Sequence, residues 1–183
     1  KKKFSIILSR EDVIGIFESV NNIKHKAILM LAYSAGLTVS EVIKLITEHI
    51  DTKRNMIYIK AAKGRKEKYT VLSEVALRVL REYWKAYQPK NWLFIGSEPN
   101  SHLTAKTVEK TLEAVSQKAG IAKNVTVYTL RHIFATHLLE GTTDLWYVQK
   151  LPGHKNSKTT EICTPVSQQD IGRIKSSLDF GKK

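Results

Sequence analysis

Residues 27–35 read Ala-Ile-Leu-Met-Leu-Ala-Tyr-Ser-Ala and run directly into Gly36. No other feature constrains the chain as strongly. A helix that is apolar on every side must be buried on every side. The run is also too short to cross a bilayer, which takes about 20 apolar residues. It therefore predicts a central core helix that stops at Gly36, where glycine tolerates the left-handed conformation of a helix end. The remaining elements must wrap around it.

The flanking patterns supply those elements. Ser9 followed by Asp12 reads as a capping box ahead of Val13, Ile14, Ile16, Phe17 and Val20. Ser40 is expected to cap a third, short helix with Glu41 in its first turn. Residues 56–59 and 69–72 are β-prone, and the segment between them, from Lys60 to Lys68, predicts a hairpin with a strongly basic tip. Helices are expected over 73–87, over 104–119 with Gly120 closing it, and over 129–139 ending near Gly141. Trp92-Leu93-Phe94 suggests a short extended core segment inside a loop spanning 89–99. Short helices are expected over 145–150, 159–164 and 167–178. The fold class is thus mainly α with a small antiparallel β-hairpin or sheet. Residues 1–183 form one domain, with an N-terminal segment over 1–8 and a C-terminal helix and tail over 167–183.

Charge narrows the partner. Thirty Lys and Arg face 17 Asp and Glu, for a formal net charge of +13. Such an excess points to a polyanion, although a lysine-rich solvated surface would give the same composition. Cys163 is the only cysteine, so neither an intrachain disulfide nor a cysteine zinc cluster can form. No HExxH-type spacing occurs, and no metal or other cofactor is expected. No apolar run reaches membrane-spanning length, and Lys1-Lys2-Lys3 is not followed by the hydrophobic segment of a signal peptide. A cytoplasmic, nucleoid-associated protein without a membrane partner is expected.

The second half of the chain is more specific. It reads Val127-Tyr128-Thr-Leu-Arg131-His132, then Gly153-His154, with Cys163 nine residues after that histidine. Upstream lie Gly36-Leu-Thr38-Val-Ser-Glu41 and the basic turn at Lys63-Gly64. In these four ordered landmarks the chain resembles the tyrosine recombinases of the phage-integrase type, especially the Xer-like proteins. Their pattern is Gly-Leu-Arg-x-Ser-Glu, a lysine turn, His-x-x-Arg, Gly-His and then a tyrosine.

The resemblance implies the catalytic-domain fold of a DNA breaking-rejoining enzyme. It also implies transesterification at a DNA phosphate through a covalent phosphotyrosyl intermediate, without cofactor. Two arginines would neutralise the non-bridging oxygens, while histidine and lysine assist with charge and with the leaving oxygen. Lys63, Arg131 and His154 correspond to retained members. Lys63 equally fits an ordinary phosphate contact. Lys60, Lys63, Arg65, Lys66, Lys68 and Arg131 are the expected DNA-binding residues. His132 and His137 fit helix packing better than catalysis. The implied partners are double-stranded DNA and either further copies of the chain, as a tetramer on paired sites, or a partner recombinase. The C-terminal segment 171–180 would be exchanged between protomers or packed on its own domain. A separate N-terminal core-binding domain, usual in the family, is expected to be absent from this chain.

Three positions depart from the pattern. Thr38 stands at the first arginine, Tyr128 at a histidine and Cys163 at the nucleophilic tyrosine. A threonine cannot form a charged bidentate clamp. Loss of one such transition-state donor costs on the order of 10²–10³ in rate. A phenol can still donate one hydrogen bond, but it does not cycle protons near neutrality. A thiol is short and soft, and falls out of reach of a phosphate placed for a phenol. The leading expectation is a DNA-binding recombinase domain with impaired strand cleavage. The alternatives are an active recombinase using Cys163 or another residue as nucleophile, and a basic non-enzymatic interaction module.

Overall fold

The computed structural model describes residues 7–61, 63–64, 66–121, 124–141 and 177–179. The expected short helices over 145–150 and 159–164 lie outside them, as does most of 167–178.

Helix α2 (Ile23–Ala35) is the central element, and every residue from Ala27 to Ala35 is buried. Asn22 caps its start by accepting the Lys24 and His25 N–H groups. Its end is a left-handed turn at Gly36 (φ 66°), where the Leu37 N–H reaches back to the Ala32 carbonyl at 3.0 Å. That bond pattern defines a Schellman end. The Thr70 hydroxyl donates to the Ala35 carbonyl at 2.8 Å, tying the sheet to the same helix end. Gly36 is required there on two counts. Its φ is positive, and a Cβ would lie 2.5 Å from Phe134 Cδ1.

Helix α1 (Arg10–Glu18) carries the expected capping box. Ser9 and Asp12 exchange backbone-to-side-chain bonds of 3.0 Å in each direction. Helix α3 (Val39–Ile43) corrects one expectation: Thr38, not Ser40, is its cap. The box runs from Thr38 to Glu41, because Glu41 falls three residues after Thr38, at the spacing the reciprocal bonds require.

A three-stranded antiparallel sheet follows, in the order β1 (Ile50–Asp51), β2 (Met56–Ile59), β3 (Lys68–Val71). Ile57 pairs with Thr70 and Ile59 with Lys68. The hairpin is therefore as expected, and β1 is an additional edge strand. Two residues are too few to show an alternating pattern.

Helix α4 (Glu74–Tyr87) begins at Ser73, and α5 (Ala105–Lys118) begins at Thr104. Between them Trp92 bridges to Ile46 and Ile95 to His102, and the buried Tyr83 hydroxyl donates to the Leu93 carbonyl at 2.7 Å. Helix α6 (Val127–Gly141) starts two residues earlier than its apolar pattern suggested. The reason is a side-chain cap. Thr126 and Thr129 each accept the other's backbone N–H at 3.1 Å.

Two buried polar links join distant parts of the chain. His137 Nε2 faces the Leu8 carbonyl at 3.0 Å, and a carbonyl only accepts, so Nε2 carries the proton. In the neutral ring Nδ1 then accepts from the Tyr33 hydroxyl at 2.6 Å. His137 is thus a packing residue, as expected, whereas His132 is exposed. At the other end, residues Ser177–Asp179 form a 3-10 turn packed on α4 and α6 of the same chain. The buried Asp179 carboxylate accepts from the Ser73 hydroxyl at 2.7 Å and from the Glu74 and Val75 N–H groups at 3.1 Å.

Gly36→Ala is expected to lower stability by at least about 2 kcal/mol, since it adds a clash to a disfavoured φ. Gly15→Ala, in α1 with nothing within 4 Å of its added Cβ, should instead stabilise by about 0.5–1 kcal/mol. Thermal unfolding followed by circular dichroism compares the two. Equal effects would contradict the Gly36–Phe134 packing.

Candidate nucleic-acid interface

A cavity of about 420 Å³ opens between α3, the β2–β3 hairpin and Trp92. Leu45, Ile46, Ile59 and Trp92 form its apolar part, and Lys44, Lys60, Lys66 and Lys68 supply cations. The walls are fixed by the fold. Trp92 is held by its indole N–H, which donates to the Asn100 carbonyl at 3.0 Å, and by an edge-on His102 ring at 4.8 Å. His49 lies against Tyr58 at 5.2 Å, and its Nδ1 accepts the Ile46 N–H at 3.2 Å. Partial burial pushes the His49 imidazole below its ordinary pKa. Glu48 opposes that shift and the nearby Lys60 adds to it. The ring is therefore neutral near pH 7, with its proton on Nε2.

Thr38 and Glu41 line the same cavity. Thr38 Oγ1 accepts the Glu41 N–H at 3.1 Å, and Glu41 Oε2 accepts the Thr38 N–H at 3.0 Å. Position 38 thus offers the cavity one uncharged O–H at most, where an arginine would bring five donors and a charge. Among the described lining residues, Glu41 is the only carboxylate against four ammonium groups. The cavity suits an anion.

The other expected residues divide. Lys60, Lys66 and Lys68 share the cavity with Thr38, and Lys63 is exposed in the β2–β3 turn next to Gly64 (φ 84°). Arg131 and Tyr128 stand on α6, one turn apart, and neither lines the cavity. Tyr128 is 75% exposed and Arg131 is half-buried. Arg131 lies one turn before Phe134, whose ring meets Gly36, so the α2–α6 contact brings its helix toward the chain segment leading into Thr38. The first turn of α6 is held by Glu109 of α5, which accepts the Val127 N–H at 3.2 Å; burial pushes that carboxyl above its ordinary pKa. Arg65, His154 and Cys163 lie outside the described residues. Among the described residues no group of three or more His, Cys, Asp or Glu is placed to hold a metal ion, and no helix is long and apolar enough to cross a membrane.

Sequence reasoning did not single out Lys44, His49 or Trp92. Lys44 and His49 belong to no motif, and Trp92 reads as core. Only the fold brings them to one opening.

The fold is the one shared by the catalytic domains of tyrosine recombinases. Residues 7–169 match the Phage integrase family, and the chain belongs to that family. It is 34% identical over 167 residues to the tyrosine recombinase XerA of Pyrococcus horikoshii, covering 90% of this chain and 58% of that protein. The crystal structure of a XerA recombinase superposes with a TM-score of 0.78 at 25% identity, over 91% of this chain and 61% of that one. The XerH site-specific recombinase, in a post-cleavage complex with a palindromic difH substrate, superposes with a TM-score of 0.69 at 26% identity, over 84% of this chain and 48% of that one. The chain thus spans less than two thirds of the length of each of these three proteins.

Thr38→Ala removes the α3 cap and is expected to cost about 1 kcal/mol. Thr38→Ser, which keeps the hydroxyl, should unfold at nearly the parent temperature. A Thr38→Ala chain as stable as the parent would contradict the capping role.

Proposed function

We propose that this chain is the duplex-DNA-binding, catalytic-type domain of a tyrosine recombinase or integrase, acting in DNA recombination and integration, in which strand cleavage is impaired. The observation that carries the reading is the cavity in which Thr38 opens beside four lysines. Thr38, which the resemblance sets at the family's first arginine, serves as a helix cap, and Lys44, Lys60, Lys66 and Lys68 line the cavity beside it. Arg131 on α6 and Lys63 at the hairpin turn supply further phosphate contacts. Arg65 and His154 join them by sequence.

The expected defect has two parts. At position 38 a neutral hydroxyl replaces a charged clamp, and at position 163 a thiol replaces the phenol that attacks phosphorus. Either change lowers transition-state stabilisation or attack geometry. Binding depends on neither. It draws on phosphate neutralisation by lysines and arginines spread over the surface. Assembly with further copies, or with a partner recombinase on paired sites, belongs to the same reading, as does a cytoplasmic, nucleoid-associated location.

Competition binding tests the proposal. Duplex DNA of random sequence is expected to displace a labelled DNA duplex at least about 10-fold better than double-stranded RNA of equal length. The reason is that A-form geometry re-spaces the phosphates and narrows the major groove. Equal competition by RNA would favour a basic interaction module and overturn the recombinase reading.

A further inference from the structure

We propose that Lys68 supplies the phosphate-holding cation that position 38 does not carry. The inference rests on the reading that a DNA phosphate occupies the cavity beside Thr38.

Glu41 connects the two residues. One carboxylate oxygen accepts the Thr38 N–H at 3.0 Å, and the other lies 3.9 Å from Lys68 Nζ. The ammonium group therefore sits one carboxylate away from the backbone of position 38, and it lines the same cavity. Lys44, Lys60 and Lys66 line that cavity too, but all three are exposed, with Lys60 and Lys66 in the basic tip of the hairpin. Lys68 is different. Its backbone is fixed in β3 opposite Ile59, and its side chain is only 35% exposed.

The contact with Glu41 leaves Lys68 available. At 3.9 Å it is an ion pair and not a hydrogen bond. Among the described residues Lys68 Nζ makes no hydrogen bond. A pair of this kind adds little to stability. It does hold the ammonium at the cavity wall, and rotation of the flexible stem can turn its three N–H donors toward an incoming phosphate oxygen. As a point charge, lysine can neutralise one oxygen but cannot reproduce the planar two-bond clamp of arginine. Lys68 therefore serves binding better than transition-state stabilisation. That fits a domain that keeps its grip on DNA while cleavage declines.

The test is the salt dependence of binding to a random-sequence 30-base-pair duplex. Lys68→Met should weaken binding several-fold near 0.1 M salt and lower the slope of log K against log salt by about 1, the loss of one phosphate contact. Lys68→Arg should keep the slope. Adding Thr38→Arg to Lys68→Met should restore it, because a cation returns to the same phosphate. An unchanged slope in Lys68→Met, in a chain that melts at the parent temperature, would overturn the proposal. So would recovery in Lys68→Met with Glu41→Gln, because Lys68 would then serve only to neutralise Glu41. Absence of salt-dependent binding by the parent chain would instead remove the DNA-binding reading itself. If Lys68→Met does not fold, Lys68→Gln carries the same comparison.

Discussion

The closure of Gly36 onto the Phe134 ring fixes the geometry of the molecule. Helix α2 is buried on all sides, so its end must be dismantled inside the protein without leaving carbonyls unpaired. The left-handed turn at Gly36, the Leu37 N–H and the Thr70 hydroxyl achieve this together. A glycine at that point lets α6 approach closely enough for its phenylalanine to cover the turn. The chain then leaves the turn directly into Thr38, while Thr70 anchors β3, and with it Lys68, to the same helix end. The position of the anion-attracting cavity is thus a consequence of how one core helix stops.

Much of this was legible in the chain. The apolar run 27–35 announced the central helix, and Ser9 with Asp12 announced α1 through a local bond pattern that needs no tertiary context. The basic hairpin was visible because β-prone residues bracket a run of lysines. What was less legible depends on competition or on distance. Thr38 and Ser40 are both competent caps, and the choice falls to whichever places Glu41 at the third helical position. Strand β1 is too short to carry a pattern. The cap that Asp179 places on α4 joins residues more than 100 positions apart, and no periodicity encodes such a contact. His49 and Trp92 illustrate the same limit at the candidate site. Each looks like an isolated ring until the 3-10 turn at Thr47–His49 and the bridge between Ile46 and Trp92 bring both to one cavity.

The site also separates two demands that an active recombinase must meet together. Holding a DNA phosphate requires positive charge in roughly the right place, which lysines on a strand and a hairpin can provide. Cleaving it requires donors and a nucleophile fixed to within fractions of an ångström around the reacting atoms. On the proposed reading the first requirement falls to Lys60, Lys66 and Lys68 around the cavity, with Arg131 on α6. On the same reading the second is lost at position 38, where the side chain closes a capping box and carries no charge. Residue identity at 163 points the same way, since a thiol there is both shorter and softer than a phenol. Binding without efficient cleavage is the combination that the proposed reading draws from these two residue identities.

Covalent trapping tests that account most directly. Duplexes selected by the chain from a random pool, nicked to prevent religation, would be incubated with it and resolved on a denaturing gel. The parent chain is expected to give no protein–DNA adduct, whereas a chain carrying Thr38→Arg and Cys163→Tyr is expected to give one. An adduct with the parent chain, abolished by Cys163→Ser, would contradict the account and establish an active recombinase with a cysteine nucleophile.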